Sequence, residues 1–246
     1  TETDVRVQLL VNLVGIFFVG SVVMMRWYRL QPREALALRL PRPAVWLGVL
    51  LAVPGGSLTA VGLFKLANHF IPVPPEMLES FSQGITSADI PLWQLLFFLT
   101  IMPGLFEEIT FRGVLLHGLR DRLHPAALAL VVGLVFGIFH VALFRFVPTA
   151  WLGVLLAAVV LLTGSIYPAM VWHALSNGLS VLASVYEIPI TELQPGTYLT
   201  GFGLLAAGLW IIYRNRTPYP GLRPWRLTAR STRGNSGDSA GSRPNR

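Results

Sequence analysis

The stretch FEEITFRGVLLHGLR, Phe106 to Arg120, places two adjacent glutamates, Glu107 and Glu108, and an arginine, Arg112, in a run that otherwise reads as a membrane helix. Each ionised group near a bilayer centre costs roughly 2.5–3.5 kcal/mol on insertion scales. Residues that expensive point to a function. Glu108 and Arg112 are four apart, so they share a helix face and pair. The arginine holds its partner as an anion, and the other carboxylate is left to exchange a proton.

The surrounding chain supports a membrane setting. Its 246 residues are 53% hydrophobic and 13% charged, where soluble domains are about a quarter charged. The net charge of +7 raises nucleic acid as a partner, but the arginines flank apolar runs and build no single basic face, so no nucleic-acid role is expected. Cysteine is absent, which removes disulfides, thiolate zinc sites and cysteine nucleophiles. The start, TETDVRVQ, is not a signal-peptide n-region. A chain beginning at Thr1 reads as processed or excised from something longer.

Seven apolar runs approach the length needed to span a bilayer: about Gln8–Tyr28, Ala44–Phe70, Pro91–Leu119, Pro125–Phe144, Pro148–Thr163, Ile166–Tyr186 and Thr197–Tyr213. The fifth is the weakest, a tilted or partial span. The expected fold is an all-α polytopic membrane bundle with an intramembrane polar pocket. Its parts are N-terminal helices and loops (1–90), a core (91–186), a last helix (187–213) and a basic tail (214–246). The first connection carries Arg26, Arg29, Arg33, Arg39 and Arg42, the third Arg120 and Arg122, and the tail eight arginines. The opposite loops carry Glu76, Glu79, Asp89, Glu187 and Glu192, with Arg6 and Arg145 as the exposed basic residues there. By the positive-inside rule this predicts an N-terminus outside and a C-terminus in the cytoplasm, in a plasma membrane. The tail from Thr217 reads as disordered and held near anionic lipid. The segment QPREALALRLPRP reads as interfacial, with arginines toward headgroups and leucines toward the acyl boundary.

Few other strongly polar side chains lie inside the runs. His140 follows Phe136 by four on the fourth, and Asn177 follows His173 by four on the sixth. Asn12 and Lys65 are outliers. Lys65 can snorkel to the surface; Asn12 shows no obvious partner. At about 1.5 Å per residue, Glu107, His140 and Asn177 sit roughly 20–24 Å from the arginine-rich side. Three helices thus bring polar groups to one depth, where they can line a water-filled pocket. A carboxylate and a histidine can activate water, and a histidine with an asparagine can donate to an oxyanion. Singly, each group also reads as a structural pair or as polar glue between helices. Other protease chemistries fail: His-Glu-x-x-His and Gly-x-Gly-Asp are absent, and Gly234–Gly237 (Gly-x-Ser-Gly) lies in the polar tail.

Glu107-Glu108-Ile-Thr-Phe-Arg112, Phe136-Gly-Ile-Phe-His140 and His173-Ala-Leu-Ser-Asn177 resemble the three motifs of the CAAX-protease and bacteriocin-processing (CPBP, Abi) family of intramembrane proteases. The resemblance runs from about Pro91 to Tyr186. It implies that Glu107, helped by His140, activates water, and that His173 and Asn177 hold the oxyanion. It implies that Glu108 and Arg112 orient the first glutamate and that Phe136 walls the pocket. In the family's type II CAAX endopeptidases the substrate is the tail of a prenylated protein. The expected partners are therefore the lipid bilayer and a membrane-associated or lipidated protein. Members have been described as metalloproteases; Glu107, Glu108, His140 and His173 would be the ligands if zinc bound, but a metal-free water mechanism is the favoured reading. Two other readings stand beside the enzyme: a non-proteolytic scaffold or immunity-type partner, and the membrane half of a transporter-linked protein.

Overall fold

The structure is a computed structural model that describes residues 5–86, 90–140, 142–190 and 192–222. Asp89 and residues 223–246, most of the basic tail, lie outside them. Among the described residues every regular element is helical, as an all-α membrane bundle requires. In chain order the helices are α1 (Arg6–Trp27), α2 (Pro32–Ala35), α3 (Pro43–Phe70), α4 (Pro75–Thr86), α5 (Leu92–Leu119), α6 (Pro125–Ile138), α7 (Leu143–Thr163), α8 (Tyr167–Val185) and α9 (Pro195–Arg214).

Five of them, α1, α3, α5, α7 and α9, are long and apolar enough to cross a membrane, where seven spans were expected. The two shortfalls have different causes. Helix α6 stops at Ile138 after 14 residues, so the fourth expected span is the short one. Helix α8 has 19 residues, but Ser176, Asn177, Ser180 and Ser184 dilute its hydropathy. The fifth run is stronger than expected. Pro148 does not start it but lies inside the second turn of α7, where a proline removes one hydrogen bond without ending the helix.

The seven longer helices nevertheless alternate in direction. At one end the chain segments after α1, α5, α7 and α9 converge. Ala37 O accepts from Ile166 N (3.3 Å), Leu162 O from Thr217 N (2.9 Å) and Leu161 O from Tyr219 N (2.9 Å). The Tyr219 hydroxyl bonds His117 Nδ1 at 2.9 Å and reaches the Glu34 carbonyl at 3.4 Å. This is the arginine-rich end. The segment expected to lie flat on the membrane is partly tucked into it: Ala35 and Ala37 are buried, while Arg33, Arg39 and Leu40 face outward. At the other end Arg6 donates to Gln94 Oε1 (2.9 Å) and Lys65 sits over the Tyr198 ring. Helix α4 packs there against α8.

Small residues set the spacing of the bundle, as they do where helices associate in lipid. Helices α3 and α9 meet along Gly48, Ala52, Gly55, Gly201 and Gly208. Two close approaches matter for the site. A Cβ on Gly153 of α7 would lie 2.8 Å from Gly133 Cα of α6, and a Cβ on Gly104 of α5 would lie 3.0 Å from Ala174 Cβ of α8. The core between these helices is apolar and includes Phe111, Leu128, Val132, Phe136, Leu156 and Trp172.

Candidate active site

Helix α5 carries Glu107 and Glu108 at the point where its α-helical turns widen, over Ile109–Leu115, into i→i+5 geometry. Wide turns of this kind recur at functional sites because they re-aim side chains. The two carboxylates diverge. The Glu108 side chain is fully buried, and that of Glu107 is 14% exposed.

Glu108 is fully engaged on one oxygen. Its Oε1 accepts from Arg112 Nη1 at 2.7 Å and from His173 Nδ1 at 2.8 Å. Arg112, also buried, donates from Nη2 to the Gly153 carbonyl at 3.0 Å. The close approach of α7 to α6 at Gly153 delivers that carbonyl. Phe136 lies under this cluster. Its ring stands 4.4 Å from the Arg112 guanidinium, 4.8 Å from the His140 ring and 5.5 Å from the His173 ring. A cation on an aromatic face is stabilised by the ring quadrupole. The aromatic spacing in the second motif therefore builds a platform for both histidines and the arginine.

Glu107 faces the other way, into a cleft of about 140 Å³. One wall comes from α1, with Leu9, Asn12, Leu13 and Phe17; the other comes from Glu107, Phe111, Phe139 and His140. His140 is in the turn after α6 and not on a helix, as the reading of the fourth run had placed it. Its side chain is anchored to the last turn of α6. His140 Nδ1–H donates to the Phe136 carbonyl at 2.9 Å, and the His140 backbone N–H turns to the Gly137 carbonyl at 3.2 Å. The Nδ1 bond sets the tautomer and leaves Nε2 as the ring's acceptor.

The four residues expected to be catalytic do not all meet at one point. Glu107 and His140 share the cleft. His173 lies behind it, with Nε2 4.0 Å from Glu107 Oε2. Asn177 is one turn further along α8 and donates to the Leu99 carbonyl at 3.2 Å, where a second wide turn, Phe97–Ile101, opens the backbone of α5. Phe136 is buried behind the cleft wall; the aromatic rings on the wall are Phe17, Phe111 and Phe139.

Three features were not legible in the motifs. Helix α1 closes the cleft. It is held by Ser21–Thr110 (2.8 Å), by Thr110 donating to the Phe17 carbonyl (3.1 Å) and by Phe17 packing on Phe111 and Phe139. Arg145, expected to be an exposed outer residue, is half-buried at the start of α7 and within electrostatic reach of Glu107. Asn12 lies in the cleft. A polar residue inside an apolar run was the available signal for it, but its partner side is set by tertiary packing.

Zinc needs three or four ligands at about 2 Å. Glu108 Oε1 is held by Arg112 and His173, whereas the Nε2 atoms of both histidines and Glu108 Oε2 make no hydrogen bond among the described residues. Among the described residues no three His, Asp or Glu side chains converge on a point that could hold an ion.

Comparison with curated proteins and with solved structures gives no significant match. One family does match. Residues 89–179, the segment that carries all three motifs, match the family described as type II CAAX prenyl endopeptidase Rce1-like.

Proposed function

We infer that the protein is an intramembrane endopeptidase that cuts a peptide bond in a membrane-associated or lipidated protein. The observation that carries this reading is the division of labour between adjacent glutamates. Glu108 is locked into a buried ion pair, whereas Glu107 is free on a cleft beside a histidine with an open acceptor. The family match over residues 89–179 supports the same reaction class.

In this mechanism a water molecule is held between Glu107 and His140 Nε2. Its oxygen attacks the carbonyl carbon of the substrate as Glu107 takes its proton, forming a tetrahedral intermediate. The proton then passes to the leaving amine and the C–N bond breaks. A donor set preorganised for the oxyanion stabilises the intermediate without reorganising. Asn177, one turn beyond His173 and outside the cleft lining, has a second N–H for this task once the substrate carbonyl reaches α8. His173 presents Nε2 toward Glu107, 4.0 Å from its Oε2. Arg112 and Glu108 act through His173, whose ring they orient. The arginine-rich end faces the cytoplasm in this reading, where positive loops are retained.

The test compares membranes from cells carrying wild type or Glu107→Gln at equal abundance, by mass spectrometry of new peptide termini. Termini present only with wild type support proteolysis and name the substrate. Identical termini, with a biological effect that survives the substitution, would sink the protease reading in favour of a scaffold.

A further inference from the structure

Between Gln8 and Ser21 the sequence of α1 is apolar at every position except Asn12. An unpaired carboxamide in lipid is costly, because hydrocarbon offers it no hydrogen bond. The Asn12 side chain has no partner among the described residues. It is exposed and lines the cleft that Glu107 and His140 share, with Leu9, Leu13 and Phe17 of the same helix. Helix α1 lies outside the segment that matches the family, so nothing in the three motifs accounts for Asn12.

A peptide entering this cleft meets the same difficulty as Asn12. Its backbone N–H and C=O groups leave water and need partners. The α1 wall offers one polar side chain to an extended strand, and that side chain is a carboxamide. It carries an acceptor and two N–H donors, the complement of a single peptide unit. Only 11% of the α1 span is buried, so this wall lies at the periphery of the bundle, where a membrane-borne chain can reach it. We propose that Asn12 is a substrate-binding residue that hydrogen-bonds the backbone of an extended peptide and positions it against Glu107. The assignment rests on the protease reading above. It makes the active site composite, with one wall supplied from outside the family-like segment.

The experiment uses the full chain as wild type, Asn12→Leu, Asn12→Ala, Asn12→Gln and Glu107→Gln, at matched abundance. New termini are mapped in membranes. A synthetic peptide spanning the mapped site is then cleaved in proteoliposomes. The expected result is a fall in kcat/KM of about tenfold for Asn12→Leu and Asn12→Ala, carried by KM, with partial rescue in Asn12→Gln. Glu107→Gln is inactive. Wild-type kcat/KM in both apolar variants, with Glu107→Gln inactive, overturns the role of Asn12 and leaves the protease standing. A loss in kcat with KM unchanged also overturns it. Termini unaffected by Glu107→Gln remove the protease reading and the Asn12 assignment together. Having two apolar variants of different size keeps the comparison valid if one inserts poorly.

Discussion

His173 is bonded to Glu108 and only faces Glu107: Nδ1 lies 2.8 Å from Glu108 Oε1, whereas Nε2 stands 4.0 Å from Glu107 Oε2. The histidine of the third motif is thus aimed by the second glutamate of the first motif, and the arginine four residues on holds that glutamate in place. The first glutamate is kept free for chemistry.

Breaking the buried pair leaves a charge without its partner. Arg112→Leu is expected to cost about 3–5 kcal/mol, because Glu108 stays buried beside one histidine. Replacing both, as Glu108→Leu with Arg112→Met, is expected to recover most of that stability and none of the activity. Unfolding in detergent, paired with turnover, checks both. A double variant that cleaves substrate would show that aiming His173 is dispensable.

Gly104 sets the distance between α5 and α8. A Cβ there would lie 3.0 Å from Ala174 Cβ and 3.1 Å from the Met170 carbonyl. Gly104→Ala requires its neighbours to give by tenths of an ångström and is expected to keep most activity. Gly104→Leu pushes the helices apart and separates His173 from Glu108. A misplacement near 1 Å costs about a hundredfold in rate, and turnover at constant protein abundance measures it.

Metal removal makes a third test. With Glu108 tied to Arg112 and His173, and no three ligands converging, a zinc-stripping chelator is expected to leave cleavage intact. Activity lost on chelation and restored by zinc alone would reverse this expectation and imply a rearranged site.

Tyr219 straps the chain after α9 to the arginine-rich end through His117, and it is 2% exposed. Tyr219→Phe leaves the buried ring nitrogen of His117 unpaired, at an expected cost of about 1–3 kcal/mol. Burial pushes the Tyr219 phenol up to about 12 from its ordinary value of 10.0. The folded state therefore holds the proton more tightly than the unfolded chain. Its contribution is complete below about pH 10 and is lost as pH rises through about 12. Unfolding measured along that alkaline limb should flatten in Tyr219→Phe. An unchanged limb would assign it to other groups.

Much of the site was legible because its signals are local. An ionisable group in an apolar run is conspicuous, and spacing by four places Glu108 with Arg112 and Phe136 with His140 on common faces. The span count was less legible. Apolar composition continues through Phe139–Phe144, but α6 ends at Ile138 and the chain turns at Phe139 and His140. Pro148 suggested a helix start, yet it sits inside α7.

The membrane class, the helical architecture and the identity of the motif residues follow from the sequence itself, since hydropathy and short helical spacing depend only on neighbours along the chain. Which glutamate is free, what His173 points at and that α1 with Asn12 closes the cleft are decisions of the tertiary structure. They depend on contacts between helices distant in sequence, such as Thr110 to Phe17, 93 positions apart, and on close approaches at Gly104 and Gly153 that only the packed bundle creates.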